Sequence, residues 1–306
     1  MSELRMVFLG TGSGRPTLRR NVSALHVQYE GEGLLFDCGE GTQVQMQRSP
    51  VRPRKMSGIF ITHFHGDHIN GLPGLLGTMA LEGHEDPLLV VAPRGIDRYF
   101  ATLRELRVMG GEAMFRTREA ARGEVFRGTG YRVSACMLRH RIPAFGYRFD
   151  EDDRLGRFDV EKAKAAGVPA GPLFGQLQRG QDVTLPDGRL VLSTDVVGPT
   201  RKGRSFAYIC DTRPSDEVAD FVKGVDILIH EATYLHELRE DAARRGHSTV
   251  LEAATIAARA EVGQLFLTHI SPKHGSNREL IQEARTVFPS VDVAEDFREI
   301  TMPVPE

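Results

Sequence analysis

The sequence predicts a layered α/β fold, an αββα sandwich in which two sheets pack face to face with helices outside. Three observations carry that prediction. Apolar runs of strand length alternate with stretches of helical periodicity and fall into two groups along the chain. Polar residues stand singly where several of the strand runs end. A stretch rich in glycine and proline, residues 150–188, interrupts the pattern and reads as a protruding flexible arm inserted in one domain of residues 1–306.

Composition sets the outer bounds. The chain has 306 residues, 41% hydrophobic and 26% charged, which is ordinary for a globular protein with a sizeable core. A net charge of −2 gives no global sign of nucleic-acid binding, so any such role must rest on local patches. Cys38, Cys136 and Cys210 lack CxxC spacing and lie in or beside apolar runs, which predicts free buried thiols in a reducing compartment. The four apolar residues Met6–Leu9 are too few for a signal peptide, and no run reaches the length of a membrane span. A cytoplasmic protein without a membrane partner is expected.

Taken in order, Met6–Leu9 reads as a first strand, stopped by Gly10-Thr11-Gly12-Ser13-Gly14. A glycine-rich loop after a strand invites a dinucleotide reading, but the match is weak because Pro16 and three arginines follow where a helix should start. Ser23–Tyr29 and Leu34–Asp37 read as a hairpin, and Cys38-Gly39-Glu40-Gly41 opens a helix through Gln47. A strand over Gly58–Thr62 is followed by a helix over Leu72–Leu81, a strand over Leu88–Ala92, and a helix over Arg94–Met109 closed by Gly110-Gly111. Tyr131–Leu138 and Ala144–Phe149 are strands flanking His140. The arm leaves few positions for a core and shows helical potential only at Val160–Ala166. Strands resume at Arg189–Ser193, Phe206–Cys210, Asp226–Ile229 and Gln264–Thr268, with Val291–Ala294 as the last. Helices are expected at Ser215–Val222, Tyr234–Arg244, Ser248–Ala260 and Asn277–Val287.

The chemistry concentrates in His63-Phe64-His65-Gly66-Asp67-His68, directly after the Gly58–Thr62 strand. On an extended segment His63 and His65 share a face, because side chains alternate with period two. Gly66 lets the backbone turn, so that Asp67 and His68 address a second point. The loop thus offers imidazoles and a carboxylate to two adjacent metal positions, a donor set that suits zinc, with manganese or iron as alternatives. His140, Asp211 and His269 each stand where a later strand run ends. Singly each reads as a turn residue; beside HxHxDH they read as converging ligands.

In that order, HxHxDH and then His, Asp and His, the sequence resembles the metallo-β-lactamase superfamily. The resemblance implies its fold and a two-metal site, with His63, His65 and His140 on one metal, Asp67, His68 and His269 on the other, and Asp211 bridging. Narrower motifs resemble the short, bacterial-type ribonuclease Z family. They are Phe8-Leu9-Gly10-Thr11-Gly12-Ser13-Gly14-Arg15-Pro16 with Arg20-Asn21-Val22-Ser23, Phe36-Asp37-Cys38-Gly39-Glu40-Gly41-Thr42-Gln43, and His230-Glu231-Ala232-Thr233-Tyr234. His247-Ser248-Thr249, Leu267-Thr268-His269-Ile270-Ser271, and the arm segment Gly167–Leu177 complete the set.

That resemblance implies a metal-dependent endoribonuclease that cuts tRNA precursors on the 3′ side, leaving a 3′-hydroxyl on the tRNA and a 5′-phosphate on the trailer. It implies two divalent ions, zinc with manganese as the alternative, and a homodimer in which one subunit's arm serves the other's site. Asp67 is then the general base or the group that orients water, and His247 the acid toward the leaving oxygen. Glu231 would orient His247. Read without the family, His247 is a helix-side histidine before an N-cap at Ser248; an ordinary surface glutamate is the competing reading of Glu231. Arg15, Pro16, Arg19 and Arg20 would meet the RNA 3′ end, and Gly171, Pro172 and Gly175 of the arm the body of the tRNA. One departure stands out: the family's Pro-x-Lys-x-Arg reads Pro16-Thr17-Leu18-Arg19-Arg20 here, with Leu18 in place of the lysine. The competing readings are another phosphodiesterase or sulfatase-like hydrolase of the superfamily, and an RNA-binding factor with a structural metal site.

Overall fold

The structure, a computed structural model, describes residues 3–84, 87–109, 115–274 and 276–304. The chain forms two compact units, one running to Asp150 and resuming over Ser205–Val304, the other spanning Glu151–Arg204.

In chain order the first strands are β1 (Leu4–Gly10), β2 (Ala24–Tyr29), β3 (Glu32–Phe36), β4 (Met56–Phe60), β5 (Leu88–Ala92) and β6 (Phe115–Glu119). Next come β7 (Gly123–Gly128), β8 (Tyr131–Leu138) and β9 (Ala144–Glu151). The smaller unit holds β10 (Val183–Thr184) and β11 (Leu190–Val191). The series ends with β12 (Ser205–Ile209), β13 (Ile227–Glu231), β14 (Gln264–Thr268), β15 (Val291–Val293) and β16 (Glu299–Met302). Two seven-stranded sheets result, ordered β16-β1-β2-β3-β4-β5-β6 and β15-β14-β13-β12-β9-β8-β7.

Side chains alternate between the two faces of each strand, and the central strands of both sheets are buried on both faces. Along β1, Leu4, Met6 and Phe8 enter the core between the sheets, while Val7 and Leu9 enter the layer beneath the helices Thr42–Gln47, Leu72–Leu81 and Ile96–Glu105. Aromatic rings fill the centre: Phe36 stacks on Phe60 at 5.0 Å between centroids, and Phe149 on Phe206 at 5.1 Å. The outer face of the second sheet packs against the helices Asp216–Phe221, Val250–Arg259 and Asn277–Arg285. The expected αββα sandwich is the observed one. Its parallel runs, β3 to β6 and β12 to β15, turn their carboxyl ends toward the ligand-bearing loops, the usual place for a site in layered α/β proteins.

Several expectations need correction. The strand expected over Gly58–Thr62 is Met56–Phe60, and the Thr62 amide turns to the Asp37 carboxylate at 2.8 Å. The helix expected over Arg94–Met109 is Ile96–Glu105, bounded by Gly95 and Arg107 at φ 110° and 56°; Gly110-Gly111 lie outside the described residues. Tyr234–Arg244 breaks into a 3₁₀ turn at His236–Leu238 and a helix at Arg239–Arg245. β6 and β7 escape periodicity because they are edge strands whose outward residues are charged. Val291–Ala294 is not the last strand, since β16 returns to pair with β1.

The smaller unit extends beyond residues 150–188 and includes Arg189–Ser193, which the sequence assigned to the body. It has a core of its own, formed by Ala163, Val168, Leu177, Val183, Leu185, Val191 and Val196. Its glycines and prolines are caps as much as breakers. Gly171, at φ 147°, precedes Pro172 at the first position of the helix Pro172–Gln178, where a missing N–H costs nothing.

Candidate metal centre

The ligand loop is shaped by its neighbours. Beyond β4, Thr62 bonds Asp37 through both its amide and its hydroxyl, which holds His63 to His65 extended. Gly66–Ile69 then forms one helical turn with His65 as its N-cap, and His68 faces inward. Gly39 lies under this turn, and a Cβ there would stand 2.4 Å from the Asp67 carbonyl oxygen. Three residues at strand ends, Asp37, Asp211 and His269, adopt φ of 59°, 50° and 56°. Such left-handed conformations cost a non-glycine residue roughly 1–3 kcal/mol and concentrate at functional sites.

The distances fall into two sets that share Asp211. In the first, His65 Nδ1 lies 2.9 Å from His63 Nε2 and 3.2 Å from His140 Nε2. Asp211 Oδ2 completes it, 3.4 Å from His63 Nε2 and 3.6 Å from His140 Nε2. In the second, His68 Nε2 and His269 Nε2 are 3.3 Å apart, and Asp211 Oδ1 lies 3.3 and 3.1 Å from them. Asp67 Oδ2 adds contacts of 3.6 Å to His68 and 3.4 Å to His269. Two ligands about 2.0–2.1 Å from a tetrahedral zinc are about 3.3–3.4 Å apart, so spacings of 2.9–3.6 Å are compatible with groups that share a cation. Asp211 Oδ1 is buried and takes no hydrogen bond, as an oxygen reserved for a metal would. The donor set fits a pair of ions. Cys210, a free buried thiol, also lies within 4.8 Å of the candidate ligand atoms of His68, Asp211 and His269.

The outward ring nitrogens fix the tautomers. His68 Nδ1 donates to Asp37 at 2.7 Å, His140 Nδ1 to the Gly246 carbonyl at 2.8 Å, and His269 Nδ1 to Thr233 Oγ1 at 2.9 Å. With a cation bound, each such bond would leave Nε2 as an inward lone pair, the arrangement metal-bound histidines use. Without one, burial works against a charge on His68, but Asp211, Asp37 and Asp67 outweigh it and raise the ring well above its ordinary value. Burial pushes His140 down to about 4 and lowers His63 and His65, so these rings are neutral at neutral pH. Burial opposes the Asp211 charge, but His269, His68 and His63 outweigh it and hold the carboxyl well below its ordinary range.

Beside this centre, Glu231 is wholly buried, not the surface glutamate of the competing reading. Its Oε1 accepts from His247 Nδ1 at 3.0 Å and from the Thr212 amide at 2.9 Å; its Oε2 accepts from Thr233. Burial disfavours the His247 cation, yet the Glu231 carboxylate more than offsets this and raises the imidazole to about 9. The ring of His247 stacks on that of His269 at 5.4 Å. Ser248 is not the N-cap: Thr249 is, in a capping box with Glu252, while Ser248 donates to the Thr212 carbonyl.

Arg15, Pro16 and Arg19 are exposed and line an open groove of about 1250 Å³ with Ser271, His274 and Asn277 opposite. Arg20 also lines it, but its guanidinium is engaged by Thr11, the Ala294 carbonyl and Asn277, so it pins the loop. Gly171, Pro172 and Gly175 lie in the smaller unit, in or capping one helix. Sequence reasoning missed Asp37 and Thr233 as groups that orient ligands. The signal for Asp37 was present, since it is a lone acid ending an apolar strand, as Asp211 is.

Residues 4–143 match the family model described as anti-Pycsar protein Apyc1, and residues 185–270 match the model described as the β-lactamase superfamily domain. A ribonuclease Z of Brevibacillus brevis is 44% identical over 306 residues, covering 97% of this chain and 96% of its own. One from Acaryochloris marina is 43% identical over 307 residues, covering 98% of each. Among solved structures, human tRNase Z, short form, superposes with a TM-score of 0.69 at 28% identity, covering 99% of this chain and all of that one.

Proposed function

The chain belongs to the ribonuclease Z family and is an endonuclease that processes tRNA 3′ ends, and we propose that it works through two divalent ions on the shared-Asp211 cluster. One observation carries the proposal: the two oxygens of Asp211 face two separate sets of imidazoles. His63, His65 and His140 would hold one ion, Asp67, His68 and His269 the other, with Asp211 between. Ions bound there supply Lewis acidity toward a phosphoryl oxygen and lower the pKa of water. Zinc is the first choice for this donor set and manganese the second.

The chain's own groups then divide the proton traffic. Asp67 accepts the Gly14 amide at 2.7 Å with one oxygen, which fixes the carboxylate that orients the attacking water. Attack at phosphorus expels the 3′ oxygen of the tRNA and leaves the 5′-phosphate on the trailer. His247 holds its Nδ1 proton on Glu231 and presents Nε2–H to the departing oxygen. The exposed Arg15 and Arg19, with Pro16 and the Arg20 that pins them, receive the RNA 3′ end. The unit Glu151–Arg204, with Gly171, Pro172 and Gly175 of the expected 150–188 arm, binds the body of the tRNA. Family membership also supports a cytoplasmic homodimer; among the described residues no helix is long and apolar enough to cross a membrane. The relatives favour neither a sulfatase-like hydrolase nor a non-catalytic RNA-binding factor.

The test is incubation of chelated protein with end-labelled precursor tRNAs, with and without CCA, after adding back zinc, manganese or magnesium. Cleavage on the 3′ side yielding a 3′-hydroxyl is expected with at least one ion. Retained RNA binding with no cleavage in any ion would overturn the catalytic reading.

A further inference from the structure

One pocket beside the ligand loop has no part in the mechanism above. It holds about 440 Å³ and is lined by Phe64, Arg94, Gly95, Arg98, Tyr99 and Leu103. Phe64 sits between two ligand residues of an extended segment, so its side chain turns away from theirs and onto the helix Ile96–Glu105. There its ring stacks with that of Tyr99, 6.1 Å between centroids and 20° between planes. Both rings are only half-buried. Gly95 lies against Phe64, where even a Cβ would already be in contact at 3.7 Å. Arg94 and Arg98 are exposed and form no ion pair among the described residues. The nearby acids are engaged, Glu119 by the Gly95 amide and Asp97 by the Thr117 hydroxyl.

Two half-exposed stacked rings flanked by two unpaired arginines have the chemistry of a single-strand nucleic-acid platform. Aromatic faces stack on any base, and guanidinium groups meet the phosphates on either side. We propose that Phe64, Tyr99, Arg94 and Arg98 form a nucleotide subsite that stacks an unpaired base of the RNA flanking the cleaved phosphate. The inference rests on the processing function above, because it places the strand by the ligand loop. The segment that positions His63 and His65 then also registers the substrate.

The experiment follows binding of a labelled single-stranded RNA hexamer by anisotropy in the wild type, Tyr99→Ala, Tyr99→Phe and Arg94→Ala/Arg98→Ala. Turnover of a chromogenic phosphodiester and of precursor tRNAs with one- and six-nucleotide trailers is measured beside it. Tyr99→Ala is expected to bind the hexamer about tenfold more weakly and to raise KM for precursor by a similar factor. Tyr99→Phe should keep wild-type affinity, and the double arginine variant should lose affinity and flatten its salt dependence. Chromogenic turnover should be unchanged in all of them. A KM effect confined to the long trailer puts the base on the trailer; an effect with both puts it on the acceptor end, and either supports the subsite. Unchanged hexamer affinity in Tyr99→Ala, or an equal loss on the chromogenic ester, overturns it. A wild type that cuts no precursor yet binds the hexamer through Tyr99 would sink the processing function and leave the subsite standing.

Discussion

Arg204→Ala is expected to unfold the smaller unit while sparing the large one. Arg204 is among the largest fully buried side chains, and it clasps Glu151 across the unit's two chain ends. Its Nε donates to Glu151 Oε2 at 2.8 Å, a terminal nitrogen donates to Oε1 at 3.0 Å, and its backbone amide donates to Oε2 at 3.0 Å. Truncating one partner of a buried pair costs up to about 3–5 kcal/mol, and Arg154, 2.9 Å from Glu151 Oε2 but partly exposed, replaces only part of what the buried Arg204 fork supplies. A core as small as that of this unit rarely supplies more than about 3–5 kcal/mol. The loss therefore matches the whole margin. Replacing both partners by methionine should be milder, since the buried carboxylate and the buried guanidinium leave together and Arg154 is partly exposed to water. Hydrogen exchange on the full chain reads both effects: amides of the helices Val160–Ala165 and Pro172–Gln178 should lose protection in Arg204→Ala, while Val250–Arg259 keeps it. The pair also has a pH signature. Burial works against the Glu151 charge, but the bonds from Arg204 and Arg154 outweigh it and push the carboxyl down to about 2. A carboxyl depressed on folding stabilises fully above its ordinary pKa of about 4.5, and that contribution fades as pH falls toward 2. Wild-type exchange in Arg204→Ala, or a methionine pair no better than the alanine variant, would refute the reasoning.

His65→Ala and Asp211→Ala should each lower bound metal by elemental analysis and abolish precursor cleavage with the fold retained; full activity with two bound ions in either would remove that residue from the ligand set. Burial, with Arg5 adding to it, pushes His26 down to about 4, so the unfolded chain takes up the proton first as pH falls. Stability should therefore drop by about 3 kcal/mol between pH 6.5 and 4, and His26→Leu should flatten that segment of the denaturant-derived stability curve; an unchanged slope would contradict it. Leu18 stands fully exposed at the groove where the family carries a lysine. Leu18→Lys should lower cleavage of CCA-ending relative to CCA-less precursors by about tenfold, the scale of one charge-assisted contact; an equal ratio in side-by-side kinetics would show that Arg19 or the backbone already sets it.

The sequence by itself determined the sandwich and named most of the side chains that meet in the candidate centre. Continuous apolar runs bound β5 and β14 to the residue, and β8 shows instead the alternation of a strand with one buried face. Candidate ligands packed into six residues announce themselves because histidines and a carboxylate have few other reasons to cluster. The same reasoning was blind to charged edge strands, whose polarity imitates loops, and to the small core of Glu151–Arg204, whose apolar residues follow no single period. Only the tertiary structure decided that Glu231 is a buried partner of His247 and that Asp37 aligns His68. It also committed Arg20 to its own chain. Local sequence specifies which groups are present and how a strand presents them. Burial and the second partner of a hydrogen bond come from residues tens to hundreds of positions away, and only folding brings those together.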